Sequence, residues 1–201
     1  IQGATRLTVA LERPGASGDA GLLADRIELQ NVKGRSPVPD FTGEYRFGRP
    51  WGYVEAAGLL GWIKWDDILE DQFDLTGSAT RWGVNLSSNV KFGGSTLRLQ
   101  FVFGEGIQNY MNDTPVDVGI VRNPGDIRSP IKGEALPMTG SVIFLDHNWN
   151  SEWSMAIGYS RQDVDNSEGQ GDDAFKTGQY ALANILYSPV KNVMMGGELQ
   201  W

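Results

Sequence analysis

The chain lacks cysteine altogether and has a single histidine among its 201 residues. Disulfide scaffolds and thiol nucleophiles are therefore excluded, and so are the common zinc sites, which depend on cysteine and histidine ligands. We expect no metal and no cofactor, and we expect that the chain is not an enzyme.

Long hydrophobic runs are missing too, and hydrophobic residues make up only 40% of the chain. No run approaches the roughly 20 apolar residues that a helix needs to cross a bilayer. This absence excludes helical spans but not a transmembrane barrel, whose alternating strands are only half apolar. The chain has 17 basic residues against 25 acidic ones, which gives a net charge of −8. Because nucleic-acid binding requires a basic surface, we expect no nucleic-acid partner.

Strict alternation of apolar and polar residues is the pattern that the sequence does contain. Between Ser95 and Phe103, Leu97 and Leu99 share one face of a strand while Arg98 falls on the other. The same alternation predicts an all-β, antiparallel fold with about nine strands. We place these strands at residues 5–12, 41–47, 53–65, 79–90, 95–103, 138–146, 153–162, 179–188 and 193–201.

The connections between the predicted strands alternate between long and short. Residues 13–39, 66–78, 104–137 and 163–178 are predicted to be long loops, and residues 48–50, 91–94, 148–151 and 189–192 short turns. Outer-membrane barrels have short periplasmic turns and long outer loops, whereas a Greek-key sandwich has no reason to place its long loops at one end. An odd number of strands cannot close such a barrel, so we expect residues 1–201 to be a single barrel domain that lacks N-terminal and C-terminal strands.

Three stretches resemble the DcaP-like porins of Gram-negative outer membranes: LTVALERPG, VPDFTGEYRFGRPWGYVEAAGLLGWIKW and YALANILYSPVKNVMMGGELQW. The resemblance implies a homotrimeric barrel of about sixteen strands, in contact with outer-membrane lipid and lipopolysaccharide. It also implies passive transport of small hydrophilic solutes, with a preference for anions such as dicarboxylates. The periplasmic coiled-coil region and the terminal strands of such a porin are missing from this sequence, which leaves barrel closure and the trimer contacts open.

If the apolar faces contact lipid, the opposite faces line a water-filled lumen, where rings of charge select solutes of opposite sign. The predicted pore-lining residues are Arg6, Glu44, Arg46, Glu55, Arg81, Arg98 and Glu198. The arginines are suited to bind a carboxylate solute, but the alternative is that they pair with nearby glutamates and only keep the wall hydrated.

The longest predicted loop, residues 104–137, carries Arg122, Arg128 and Lys132. A loop of this length either folds inward as a constriction loop, which would place these cations in the pore, or stays outside as an exposed loop. The sequence leaves both possibilities open.

Two further interpretations remain. A secreted, soluble β-sandwich could bind carbohydrate through exposed tryptophans and through the acidic loops 66–74 and 163–173, with calcium as an aid. A hydrolase could use His147 with Asp146 and with Ser141 or Ser151, but sequence spacing does not supply the geometry of a triad.

Overall fold

The computed structural model describes residues 5–201, and most of them belong to one antiparallel sheet. Within this range there is no α-helix, only three single turns of 3₁₀-helix at Gly21–Leu23, Ile27–Leu29 and Gln108–Tyr110. The strands are β1 Arg6–Glu12, β2 Val32–Arg35, β3 Asp40–Arg49, β4 Gly52–Asp67, β5 Gly77–Phe92, β6 Ser95–Glu105, β7 Val118–Arg122, β8 Ile131–Ala135, β9 Pro137–Asn148, β10 Trp153–Val164, β11 Thr177–Val190 and β12 Val193–Gln200. None of the helices in the described range could span a bilayer, because none combines the necessary length with an apolar sequence.

Neighbouring strands of the main sheet follow one another along the chain. The order is β1-β3-β4-β5-β6-β9-β10-β11-β12, while β2 pairs with one end of β4, and β7 and β8 form a separate hairpin. The ten-stranded sheet is open, with β1 and β12 at its edges. The all-β, antiparallel prediction is therefore confirmed.

All nine predicted strands are present, and the alternation of short and long connections is confirmed. The short turns are residues 50–51, 93–94, 149–152 and 191–192, and the long connections are residues 13–39, 68–76, 106–136 and 165–176. Gly93 and Asn192 occupy left-handed backbone positions in two of the turns, with φ angles of 55° and 67°. Glycine and asparagine adopt this conformation at little cost, which accounts for the tightness of these turns.

The prediction that residues 13–39 and 104–137 are irregular is wrong in part. The first segment contains β2, which pairs with the extended end of β4, and the second contains the β7–β8 hairpin. The sequence of β2, VKGR, has no apolar alternation that would have identified it. The sequence of β7, VGIVR, is a short apolar run, and such runs do not distinguish a strand from other buried segments.

The two faces of the sheet differ in composition and in exposure. On β4 and β5 the side chains of Val54 and Leu86 are 50% and 46% exposed. We call this side the apolar face. Its exposed members include Leu7, Val9, Leu11, Phe41, Tyr45, Phe47, Val54, Leu60, Trp62, Trp82, Leu86, Leu99, Phe101, Ile143, Trp153, Ile157, Ile185, Met195 and Leu199. The opposite side, the polar face, carries the charged residues of the middle parts of the strands, such as Glu55 and Arg98, and part of it is covered by the long connections.

The buried core is small and lies beneath the long connections. One cluster joins β6 and β9 to the segment that follows β6, through Val102, Ile107 and Met138, and it also includes Leu136 and Val164. A second cluster, Leu75, Ile120 and Ile131, lies among the connections themselves. A soluble sandwich would instead need a second sheet on the apolar face, and within residues 5–201 no sheet covers that face.

Candidate functional site on the polar face

All four arginines that were predicted to line a pore are paired with carboxylates. Arg6 pairs with Glu44, Arg46 Nη1 lies 3.7 Å from Glu55 Oε2, Arg81 Nη1 lies 2.9 Å from Asp40 Oδ2, and Arg98 Nε lies 2.6 Å from Asp146 Oδ2. Alternation places these side chains on one face, and antiparallel register brings them within reach of one another.

Three of the four pairs lie between adjacent strands. Arg46 is directly opposite Glu55 in the β3–β4 register, and the Arg6–Glu44 and Arg98–Asp146 pairs join β1 to β3 and β6 to β9. The side chains of Arg6 and Arg98 remain 59% and 53% exposed, so these pairs are in contact with water. Exposed pairs of this kind contribute little to stability, about 0–1 kcal/mol each.

The fourth pair, Arg81 with Asp40, is buried and reaches across an intervening strand. Asp40 on β3 and Arg81 on β5 are separated by Gly61 on β4, and the two side chains are 0% and 1% exposed. A Cβ atom at Gly61 would overlap the Asp40 carboxylate and come within 3.1 Å of Arg81 Cδ. The glycine thus provides the space in which the ion pair forms.

The buried pair also forms hydrogen bonds with residues of two long connections. Asp40 Oδ2 accepts a hydrogen bond from the Tyr110 hydroxyl at 2.7 Å, and Arg81 Nη2 donates to the Gly15 carbonyl oxygen at 2.5 Å. We call these four residues the Asp40 cluster. Burial raises the pKa of the Tyr110 hydroxyl, and its hydrogen bond to the Asp40 carboxylate raises the pKa further. The hydroxyl therefore stays protonated and able to donate at neutral and mildly alkaline pH.

Residues 107–113, which we call the crossing segment, lie across the polar face. Ile107 is buried in the core cluster, and Tyr110 is fixed by the Asp40 cluster. Cavities of about 320 Å³ and 700 Å³ lie against the segment, and Tyr110 and Met111 line both of them. The segment thus divides the open space beside the polar face.

Asp117 fixes the chain just after the crossing segment. Its buried carboxylate accepts hydrogen bonds from the Ser17 backbone N–H and from the Asn109 backbone N–H, both at 2.9 Å. The Ser17 hydroxyl donates to the same carboxylate at 3.2 Å, and Asp19 N–H donates to the Val118 carbonyl at 2.9 Å. The connections 13–39 and 106–136 are therefore joined to each other as well as to the sheet.

The cations of the predicted constriction loop lie outside the crossing segment. Arg122 ends β7, Arg128 lies between β7 and β8, Lys132 is in β8, and all three are exposed. The chain that crosses the polar face instead carries Ile107, Tyr110 and Met111. Glu198 lies on the polar face of β12 and accepts hydrogen bonds from Asn184 and Gln200.

Sequence reasoning left Asp40 and Tyr110 out of the candidate residues. Asp40 extends the alternation of Thr42, Glu44 and Arg46 by one step, so its position on the polar face could have been found. No sequence pattern marks Tyr110, because its role depends on the path of the loop.

The structure separates the residues of the hypothetical hydrolase. Asp146 pairs with Arg98 on the polar face, whereas the adjacent His147 contacts the Ser95 hydroxyl through Nδ1 at 2.8 Å. Successive residues of a strand point to opposite faces, so Asp146 cannot orient His147. Within the described range no three Asp, Glu or His side chains lie close enough together to hold a metal ion.

Comparison with known proteins gives a match in structure alone. No family model and no curated protein matches the sequence. The crystal structure of the outer membrane channel DcaP of Acinetobacter baumannii matches with a TM-score of 0.73 and 17% sequence identity. The sheet of this chain therefore shares its fold with about half of this channel. The match covers 98% of the chain and 51% of DcaP, so the chain spans about half the length of that protein.

The resemblance inferred from the three sequence segments is thus confirmed for the fold. At this level of identity a shared fold does not transfer solute specificity or assembly, because function depends on the particular residues of a site.

Replacing Tyr110 with phenylalanine removes the hydroxyl that donates to Asp40. We expect a loss of about 1 kcal/mol in stability and faster amide hydrogen exchange across residues 107–113, because the segment loses a buried hydrogen bond. The measurement is hydrogen exchange read by mass spectrometry. The matched control is Tyr45→Phe on the exposed apolar face, and equal exchange in the two variants would contradict the anchoring role of Tyr110.

Gly61→Ala tests the bridge between β3 and β5. The added methyl group overlaps the Asp40 carboxylate, so we expect a loss of about 1–3 kcal/mol in unfolding free energy. Gly58→Ala is the control, because Gly58 lies in the same strand and its added Cβ would approach only the Gly83 carbonyl oxygen, at 3.8 Å. Urea unfolding in detergent or lipid vesicles measures both, and an equal effect would show that the space at Gly61 is not needed.

Proposed function

We propose that this chain forms part of the wall of a transmembrane β-barrel in a bacterial outer membrane and passively conducts small hydrophilic solutes. The observation that carries the proposal is the distribution of residues between the two faces of the sheet. Large apolar side chains are exposed along the apolar face, whereas the charged side chains of the middle parts of the strands lie on the polar face, and the charges on the apolar side, such as Arg161 and Asp163, lie near strand ends. This is the arrangement of a barrel with lipid outside and water inside.

Exposure of so much apolar surface to water would be unfavourable. Each Å² of apolar surface removed from water contributes about 25 cal/mol, and several strands of this sheet expose residues such as Phe41, Ile143 and Ile157. Within residues 5–201 no other part of the chain covers this surface, and a lipid environment would satisfy it.

The dimensions of the strands support the same proposal. β4 and β5 each contain 16 residues, β11 contains 14, and β9 and β10 contain 12. A tilted strand needs about 9–11 residues to cross the hydrocarbon core. These strands would therefore span a bilayer and project beyond it.

The DcaP match supports a barrel, because the fold shared with this chain belongs to an outer membrane channel. We propose that further strands close the sheet between β1 and β12, and that the long connections lie on the outer side of the membrane. The homotrimer, the barrel of about sixteen strands and the contacts with lipopolysaccharide stay predictions.

The pairing of the arginines affects the proposed selectivity for anionic solutes. A filter for dicarboxylates needs guanidinium groups that are free to bind the solute, but all four predicted arginines already contact a carboxylate. The predicted preference for anions therefore gains no support from the wall. We propose that these pairs keep the lumen hydrated, and that the crossing segment limits the size of the solute.

The decisive experiment is conductance of the full-length protein in planar bilayers, together with gel mobility before and after heating in detergent. We expect stepwise, ohmic currents and a heat-dependent shift in mobility, as for a folded barrel. A protein that is folded and soluble without detergent, and that gives no current, would contradict the proposed function.

Substitutions at the centre of β5 test which face contacts lipid. Leu86→Lys places a charge on the apolar face and is expected to cost about 2–4 kcal/mol of stability in a bilayer. The neighbouring Asn85→Lys places the same charge on the polar face, where a smaller loss is expected. Urea unfolding in lipid vesicles measures the difference, and an equal loss would argue against a lipid-facing apolar side.

Removing one arginine tests the role of the pairs. Arg46→Gln leaves Glu55 without its cation, so we expect the reversal potential in a salt gradient to shift toward cations. Arg49→Gln is the control, because the Arg49 guanidinium lies 3.7 Å from the centre of the Phe47 ring, and Phe47 belongs to the apolar face. If the wild-type channel prefers anions strongly and Arg46→Gln abolishes that preference, an arginine filter operates after all.

A further inference from the structure

The smaller cavity beside the crossing segment has a distinct chemical character. Its volume is about 320 Å³, and it is bounded by polar-face residues of β1, β3, β4, β5 and β6 on one side and by the crossing segment on the other. Glu12 and Glu44 contribute carboxylates to its lining, and Ile107 and Met111 contribute apolar surface.

The charges around this cavity do not cancel. Glu44 is paired with Arg6, and Asp40, behind Tyr110, is paired with Arg81. Glu12 is included in none of the ion pairs formed within residues 5–201, and its carboxylate accepts a hydrogen bond from the Thr42 hydroxyl at 2.7 Å. The lining therefore has one carboxylate that forms no ion pair, within 4 Å, with any cation of the described chain.

The position of Glu12 makes a cationic occupant favourable. The residue is partly buried at the end of β1, in a recess where solvent screens charge less than it does on an open surface. Within the described part of the chain no arginine or lysine side chain lines the recess, so a carboxylate solute would meet repulsion without compensation. A single uncompensated carboxylate is also too few ligands for a bound calcium ion.

The other half of the cavity is suited to an alkyl group. Leu59 and Met111 pack against the cluster that contains Val102 and Ile107, and all four line the same recess. An occupant with a charged head and a short apolar body could contact both parts at once.

We propose that this recess is a subsite for small organic ammonium ions. The ammonium group donates hydrogen bonds to the Glu12 carboxylate, while a short alkyl chain lies against Ile107 and Met111. The inference rests on the proposed function, since the recess lies beside the crossing segment on the solute pathway, and it gives that pathway a solute class.

Binding is tested with n-butylammonium and the full-length protein in detergent, by saturation-transfer NMR titration. Glu12→Gln is expected to weaken binding about tenfold or more, because a charge-assisted hydrogen bond is lost. Glu12→Asp keeps the charge and should retain most of the affinity. Glu198→Gln is the matched control, because Glu198 is also absent from the ion pairs but lies on β12, away from the recess.

Butanoate has the same number of carbon atoms as n-butylammonium and the opposite charge, and this comparison needs no variant. Binding of butanoate as tight as that of n-butylammonium to the wild-type protein would overturn the proposal, as would equal binding of n-butylammonium to Glu12→Gln. Binding in detergent does not depend on conduction. A channel that conducts but shows no Glu12-dependent binding thus refutes the subsite alone, and Glu12-dependent binding without current refutes conduction alone.

Discussion

The buried ion pair between Asp40 and Arg81 is the interaction on which the arrangement of the polar face depends. Two charges removed from water carry a large desolvation cost, which is offset only by close pairing and additional hydrogen bonds. Tyr110 and the Gly15 carbonyl supply those bonds, and each comes from a different long connection. Asp40 Oδ1 and Arg81 Nε have no hydrogen-bond partner in the structure, so the energetic balance is narrow, and removal of either Asp40 or Arg81 would leave the other charge buried without its partner.

A second constraint is that no sheet covers the apolar face within residues 5–201. In this range the buried apolar residues lie beneath the connections, as in the cluster of Ile107, Leu136 and Met138. The folded path of the connections must therefore be stabilised by polar contacts as well as by this small core. Asp117 does so by accepting three hydrogen bonds, two from Ser17 in the first long connection and one from Asn109 in the third. The same contacts place residues 107–113 over the polar face.

The sequence was sufficient to predict the sheet because its strands obey a period of two over most of their length. From that pattern the faces of Arg46, Glu55 and Glu198 follow directly, and the structure has them on the polar face. The pairing of Arg81 did not follow, because its partner lies two strands away and is reached only across a glycine. The crossing segment was equally beyond sequence reasoning. Its course depends on contacts of Tyr110 with Asp40 and of Asp117 with Ser17, and both of these partners are distant in sequence.

Charged and apolar side chains therefore reach the polar face from different parts of the molecule. The strands supply arginines that are each paired with a carboxylate, whereas Glu12 and Glu198 belong to none of the ion pairs within residues 5–201. The crossing segment contributes Ile107, Tyr110 and Met111 to the smaller cavity, and these side chains narrow the space without adding charge. A count of arginines on the polar face thus does not give the local charge, because each of them is paired with a carboxylate. The local charge depends on which carboxylates remain unpaired in the folded sheet. It therefore depends on the fold as much as on composition.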